Sequence, residues 1–324
     1  MKPAIRVAVT GAAGNIGYSL LWRIASGDCF GADQPIRLQL LEITPALERL
    51  QGVIMELEDS AFPLVQSIEG TDDPAVAFSG ADAVFLVGSR PRTKDMDRAD
   101  LVAANGPIFV GQGKALNEHA SRGVKVVTVG NPCNTNCLIA QANAPGLDPS
   151  QFSAMTRLDQ NRAAAQLAKK AGVTVAEVQD VFIWGNHSDR MVPDVRLARV
   201  AGEPALERFD AAWLKGPFTQ TVATRGKAVI VARGASSAAS AASAAVDHMR
   251  DWWNGSQGRI VSMAIPSRGW YGVPEGLIFS FPVRVVDGRV EVVEGLELDD
   301  DTRRGLQANV EELQAERAAV ADLL

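Results

Sequence analysis

The sequence predicts an α/β fold: a doubly wound parallel sheet of the Rossmann type over residues 1–154, then an α+β domain over residues 155–324. Three observations lead there. Short apolar runs alternate with helical patterns through the first half of the chain. Those runs are nearly continuous in hydrophobicity, as parallel strands buried on both faces are. A glycine-rich turn follows the first run and opens a helix.

The first strand is Ile5-Arg6-Val7-Ala8-Val9-Thr10, ending at Gly11, and a helix continues to about Ala25. A second strand covers Ile36 to Leu41, followed by a helix from roughly Ala46 to Glu58. Asp82 to Gly88 is a third, and a long helix over about Asp97 to Ser121 comes next. Val124 to Val129 is a fourth, closing at Gly130-Asn131-Pro132. From about Ser153 the texture changes, which places the domain boundary near 150–157. An Ala-rich helix spans Asp159 to Ala171, and a strand over Val181 to Trp184 leads into Gly185. A second helical stretch takes in 232–240 and continues to about Trp253. Strands at Val261–Ile265, Leu277–Val286 and Arg289–Val293 precede a charged helix from about Asp300 to Leu324. The chain carries no internal repeat.

Composition narrows the function. With 324 residues and 47% hydrophobic content, the chain is long enough to bury a large core. A net charge of -6 and the lack of a basic stripe argue against nucleic acid as a partner. No apolar run reaches the roughly 18 residues of a membrane-spanning helix. Met1 to Thr10 passes straight into a strand without a signal-peptide pattern, so a cytoplasmic protein is expected. Three cysteines, Cys29, Cys133 and Cys137, are too few for a disulfide framework and suit a reducing compartment. Cys133 and Cys137 lack the further Cys or His of a metal set, so no metal is expected and both read as packing residues.

Two clusters carry chemistry. Gly11-Ala12-Ala13-Gly14-Asn15-Ile16-Gly17 sits between strand and helix, where glycines allow close backbone approach and helix N–H groups meet a pyrophosphate. Taken singly, such a triad is also an ordinary turn. Glu42, at the end of the second strand, can accept hydrogen bonds from a ribose diol and repel a 2′-phosphate, which favours NAD over NADP. The second cluster pairs Asp159-Gln160-Asn161-Arg162 with Gly185-Asn186-His187-Ser188. Histidine exchanges protons near neutral pH, a carboxylate can hold its ring in one tautomer, and an arginine can grip an anion. The plain alternatives are a structural histidine and a helix-entry Asp159 with Arg162 as its i, i+3 partner. Arg90-Pro91-Arg92 to Arg98 reads as a charged loop suited to closing on a small anion. His119 and His248 stand in helical stretches without such company and are assigned to surface or packing.

Taken together, these segments resemble the cytoplasmic-type malate dehydrogenases. The resemblance rests on Gly11 to Gly17, Pro91-Arg92 to Arg98, Gly130-Asn131-Pro132, Thr156 to Arg162 and Gly185 to Ser188, and extends over nearly the whole chain. It implies a homodimer that transfers hydride between NAD and C2 of malate or oxaloacetate, intermediates of the tricarboxylic acid cycle. His187 would be the acid–base residue and Asp159 its orienting partner. Arg162 would bind the C1 carboxylate, Arg98 would polarise the C2 oxygen, and Arg92 would reach the distal anionic group. Asn131 would contact substrate and cofactor. Gly11, Gly14, Asn15, Ile16, Gly17 and Glu42 would hold the dinucleotide, with Asn105, Gln112 and Val129 on the nicotinamide side.

Some residues depart from that family's pattern. Asp95, Cys133, Asp189, Arg190, Arg268 and Trp270 all stand in segments that would adjoin the substrate. The added arginines leave open a more highly charged substrate such as 3-phosphonopyruvate. A non-catalytic dinucleotide sensor on the same fold is the alternative from another class. The intact set of His187, Asp159 and three arginines speaks against it.

Overall fold

The computed structural model describes residues 2–90 and 98–324, apart from the side chains of residues 98–100. The elements run in order β1 (Ile5–Thr10), α1 (Asn15–Ala25), β2 (Ile36–Leu41), α2 (Leu47–Asp59), β3 (Val65–Thr71), α3 (Pro74–Phe78) and β4 (Ala83–Leu86). Then come α4 (Arg98–His119), β5 (Lys125–Thr128), α5 (Cys133–Ala142), β6 (Phe152–Ala154), α6 (Arg157–Ala171), β7 (Val178–Gln179), β8 (Phe182–Trp184) and β9 (Val192–Asp194). The rest are β10 (Arg199–Val200), β11 (Glu203–Pro204), α7 (Ala205–Arg208), α8 (Ala211–Trp213), α9 (Thr219–Arg233), α10 (Ala239–Asn254), β12 (Val261–Pro266), β13 (Ile278–Val286), β14 (Arg289–Val292) and α11 (Asp300–Ala319).

Two compact units emerge. The first comprises 1–154 together with 238–250 and 315–324; the second comprises 155–237 and 251–314. In the first, six strands pair in parallel in the order β3-β2-β1-β4-β5-β6. Right-handed crossovers then send the connections after β1 and those after β4 to opposite faces, which is the doubly wound arrangement expected from the sequence. The centre is dry: Ala83, Val84, Phe85 and Leu86 of β4 are all fully buried. The strand order reverses between β1 and β4, and ligands of such sheets bind at the carboxyl ends beside that reversal.

The second unit mixes helices with antiparallel strands. β12, β13 and β14 form an antiparallel meander. β8 pairs antiparallel with β9, and Gly185 just beyond β8 bridges to Ser280. Its core gathers Leu167 of α6, Val181, Ile183, Phe218 and Val222, all at most 2% exposed. Trp184 stacks edge-on against Tyr271 and Phe281.

Several segments differ from the sequence expectation, among them the short elements α5, β6, β7, β9, β10, β11, α7 and α8, where none was expected. The continuous helix expected through 232–240 is broken: α9 ends at Arg233, Gly234 takes φ +72°, and α10 begins at Ala239. A left-handed glycine after the last turn is a standard helix stop. β3 and α3 also appear where no element was expected. β3 is an edge strand that pairs with β2 alone, so it can carry Gln66, Ser67 and Glu69 where a central strand would be apolar.

Candidate functional site

The glycine turn lies at the end of β1, beside the reversal point. Gly11 has φ +64°, and a Cβ on it would come within 2.6 Å of the Gly88 Cα, so the two backbones touch where no side chain fits. Thr10, which adjoins the glycine turn and gets no role of its own from the sequence, fixes that contact. Its buried Oγ1 accepts from the N–H groups of Val87 and Gly88, each at 3.0 Å. Gly14 is the N-cap of α1 and offers no side-chain cap. The first N–H groups of α1, over Asn15 and Ile16, are therefore left by the side chain at the cap for an outside acceptor. A Cβ on Gly17 would press within 2.8 Å of the Ala12 Cα, so this glycine lets the helix seat on the turn. These are the features that a pyrophosphate cradle requires.

Glu42 follows β2 directly. Its Oε1 accepts the Ala13 N–H at 2.9 Å and its Oε2 the Ile43 N–H at 3.2 Å. The carboxylate thus leans onto the glycine turn.

Beyond β5, Val129 is buried and donates its N–H to the Leu86 carbonyl at 2.9 Å. Asn131 is exposed and joined to Pro132 by a cis peptide. Asn105 of α4 is fully buried. Its Oδ1 accepts the Arg90 N–H at 2.7 Å, while its Nδ2 donates to Leu101 O at 3.0 Å and Asn131 O at 3.3 Å. The amide is therefore spent on the backbone of residues 90, 101 and 131, and its contribution is their position. Gln112, also on α4, is 6% exposed, and its Oε1 is a buried acceptor with no partner among the described residues. A buried acceptor left open is what a bound amide or hydroxyl donor satisfies. Arg92 and Asp95 lie outside the described residues, as does the side chain of Arg98, which opens α4.

In the second unit, α6 supplies Asp159 and Arg162. Arg157 opens the helix and is anchored by Asp251, which accepts from its Nη2 at 2.8 Å and from Arg259 Nη2 at 2.7 Å. Asp159 stands in the first turn, where the helix dipole favours a carboxylate, and is 1% exposed. Its Oδ2 meets His187 Nδ1 at 2.5 Å, and its Oδ1 accepts from Arg162 Nη1 at 3.1 Å. One buried carboxylate therefore holds both groups. Arg162 also donates to Ser237 Oγ at 3.4 Å, a neighbour that no pattern along the chain singles out. A carboxylate at Nδ1 favours the ring tautomer that carries its proton on that nitrogen.

The departing residues have definite surroundings. Cys133 is buried at the start of α5. Arg190 pairs with Glu312 at 3.8 Å, and Asp189 is exposed. Trp270 packs edge-on against Phe281, whereas Arg268 is exposed and has no carboxylate partner among the described residues. His119 is partly exposed on α4, and His248 is fully buried on α10. Among the described residues no helix is long and apolar enough to cross a membrane.

Comparison with known proteins bears on both units. Residues 5–153 match the lactate/malate dehydrogenase NAD-binding domain, and residues 156–323 match the lactate/malate dehydrogenase alpha/beta C-terminal domain. The chain belongs to the lactate/malate dehydrogenase family. Among solved structures it is similar to malate dehydrogenase from Naegleria fowleri, at 44% identity over 100% of both chains with a TM-score of 0.96. It is also similar to Trichomonas vaginalis lactate dehydrogenase in complex with NADH and oxamate, at 40% identity over 99% of each chain and a TM-score of 0.94. The malate dehydrogenase of Salinibacter ruber, 23% identical over 98% of both chains with a TM-score of 0.83, shares the fold. As a lactate/malate dehydrogenase family member, the protein is an NAD-dependent 2-hydroxy acid dehydrogenase. The glycine cradle and the open Gln112 acceptor fit that cofactor.

Proposed function

We propose that this chain is a malate dehydrogenase, interconverting malate and oxaloacetate. The observation that carries the reading is the Asp159 carboxylate held between His187 and Arg162. Bound NAD(H) supplies the hydride acceptor or donor at C2. His187 Nε2 takes the C2 hydroxyl proton during oxidation and returns it during reduction. Asp159 keeps the ring in that tautomer and stabilises the imidazolium. The Arg162 side chain is only 13% exposed, and its guanidinium binds the C1 carboxylate in a two-pronged geometry that lysine cannot supply. Asn131, exposed at the end of β5, adds a polar contact to substrate and cofactor. Arg98 polarises the C2 oxygen, and Arg92 meets the distal carboxylate. Arg92 supports malate over lactate, because a methyl group offers a guanidinium nothing to pair with. Glu42 takes the adenosine ribose diol, and Asn105, Gln112 and Val129 shape the nicotinamide end. The same reading makes the protein a homodimer of the cytoplasm, a compartment in keeping with three buried cysteines that form no disulfide.

The test is kcat/KM with NADH for oxaloacetate, pyruvate and 3-phosphonopyruvate, in the wild type and in Arg92→Ala. Oxaloacetate preferred over pyruvate, with that preference lost in Arg92→Ala, supports the malate reading. Preference for pyruvate in the wild type overturns it, and silence across the panel favours a sensor.

A second reading, reduction of 3-phosphonopyruvate, draws on Arg268. Gly185 pairs with Ser280 near the start of β13, so the 186–190 loop leaves the strands at the end where the 267–277 turn enters. Arg268 on that turn, with no carboxylate partner among the described residues, suits an extra negative charge. Arg190 argues the other way, since Glu312 already offsets its charge. A higher kcat/KM for the phosphonate than for oxaloacetate would favour this reading.

A further inference from the structure

His187 sits between two residues that are tied to the same atom. Asn186 Nδ2 donates to Glu312 Oε2 at 2.8 Å, and Ser188 Oγ donates to that same oxygen at 2.6 Å. Ser188 Oγ also accepts the Arg190 N–H at 3.2 Å, which closes the turn on itself. One helical turn before Glu312, Asn309 grips the backbone. Its Oδ1 accepts the Asn186 N–H at 2.8 Å, and its Nδ2 donates to Arg190 O at 2.7 Å and to Gly305 O at 2.8 Å. Asn309 and Glu312 are three residues apart and so lie on one face of α11. Asn309 is fully buried, and the Glu312 side chain is 14% exposed.

The backbone beneath is shaped to admit this grip. Gly185 has φ +100°, and any Cβ there would overlap the Asn309 amide. A glycine is thus required twice at this position, by conformation and by space. Gly305, a turn earlier on α11, serves the same end: a Cβ there would meet Val192 Cγ2 at 2.5 Å, so α11 lies close against β9.

We propose that Asn309 and Glu312 are positioning residues for the acid–base chemistry of His187. Asp159 fixes the ring at Nδ1, but a ring has to be aimed as well as held. Its aim is set by the backbone at 187, and α11 fixes that backbone from both flanks. Proton transfer needs Nε2 within hydrogen-bond reach of the C2 oxygen, and a misplacement of about 1 Å can cost a hundredfold in rate. The loop without its clamp would still bind NADH and still present Arg162. What it would lose is alignment in the step where proton and hydride move.

This proposal rests on His187 as the proton-exchanging residue, so the experiment carries His187→Asn as its reference. Enzyme saturated with NADH is assayed with the wild type's preferred 2-oxo acid for Glu312→Ala, Glu312→Gln and Ser188→Ala. Active sites are counted by NADH fluorescence, and kcat is measured again with NADH deuterated at the transferred position. For Glu312→Ala, kcat per active site is expected to fall by about a hundredfold with KM little changed. The deuterium isotope effect should rise as chemistry becomes rate-limiting. Glu312→Gln, which keeps an oxygen acceptor, should recover most of the loss. Ser188→Ala removes one donor from a half-buried position and should lose about tenfold by the same misalignment, which keeps the test decisive if Glu312→Ala does not fold. A wild-type kcat per active site in both Glu312→Ala and Ser188→Ala, or losses confined to the number of active sites with an unchanged isotope effect, would overturn the proposal. Full activity in His187→Asn would instead overturn the acid–base reading beneath it.

Discussion

His187 Nδ1 lies 2.5 Å from Asp159 Oδ2, and the other oxygen of that carboxylate is occupied by Arg162. The proposed proton-exchanging group and the proposed anion-binding group therefore share one buried anchor. Removing it should disturb both. Asp159→Asn is expected to lower kcat/KM by at least about a hundredfold, since an amide can present the wrong partner to Nδ1 and no longer stabilises the imidazolium. KM for the 2-oxo acid should rise as Arg162 loses its brace, whereas KM should hold steady in His187→Asn. Steady-state kinetics of the two variants side by side check this, and identical KM values in both would refute the shared-anchor account.

Glu42 offers a test on the cofactor side. Its carboxylate adjoins the glycine turn through the Ala13 N–H. A like charge brought within about 4 Å costs at least about 1 kcal/mol even in water. Glu42→Ala should accordingly shift the ratio of kcat/KM for NADH over NADPH toward NADPH by about fivefold or more. KM for NADH should also rise, because the turn loses an internal hydrogen bond. An unchanged ratio would remove Glu42 from the ribose site.

Asp299 caps α11, the helix that carries Asn309 and Glu312. The Thr302 N–H donates to Asp299 Oδ1 at 2.8 Å, and this bond, then the Thr302 hydroxyl, holds the Asp299 carboxyl below its ordinary value. Asp299→Ala should cost about 1 kcal/mol at pH 7, as lost N-caps do. A depressed folded value means that the stabilisation is present above the unfolded value, near 4, and fades as pH falls through the folded one. Urea unfolding of wild type and variant from pH 7 downward should show the gap closing only at the acid end. A gap that is constant with pH would mean that the charge is not involved.

The thiols give a simpler expectation. Burial pushes Cys137 up to about 12, against a smaller lowering by the neighbouring Thr128 hydroxyl, and burial likewise pushes Cys29 well up. Neither is a thiolate at neutral pH, and all three cysteines are buried. Ellman's reagent at pH 8 should leave the native enzyme unlabelled and find three thiols in guanidinium. Rapid native labelling would show that a cysteine is reachable.

Much of the fold was legible from residues alone, and physics explains which elements. β1, β2, β4 and β5 lie inside the sheet and are mostly apolar and buried, with Arg6, Arg37 and Lys125 the charged exceptions at or near their starts. β3 pairs on one side only and admits polar residues, which hides it from a hydrophobicity reading. The Ala- and Ser-rich stretch around 234–240 suits a helix at nearly every position, and a single left-handed glycine overrides the rest. Glycines before a helix, an acid after a strand and a histidine after a glycine were visible because their chemistry is tied to local position. Asn309 and Glu312 were not. In a helix as charged as α11, the residue types alone do not separate a solvated face from one buried against a loop. Nor does a pattern along the chain announce that 238–250 and 315–324 return to the first unit.

Asn105 has a consequence for how this enzyme tolerates change. Its amide uses an acceptor toward Arg90 and donors toward Leu101 and Asn131. Aspartate at this site would lack the donors, serine would fall short, and glutamine would overreach by a methylene. The rims after β4 and β5 thus hang on a position where chemically close replacements fail for different reasons, and redesign of the substrate loop should begin by leaving that amide alone.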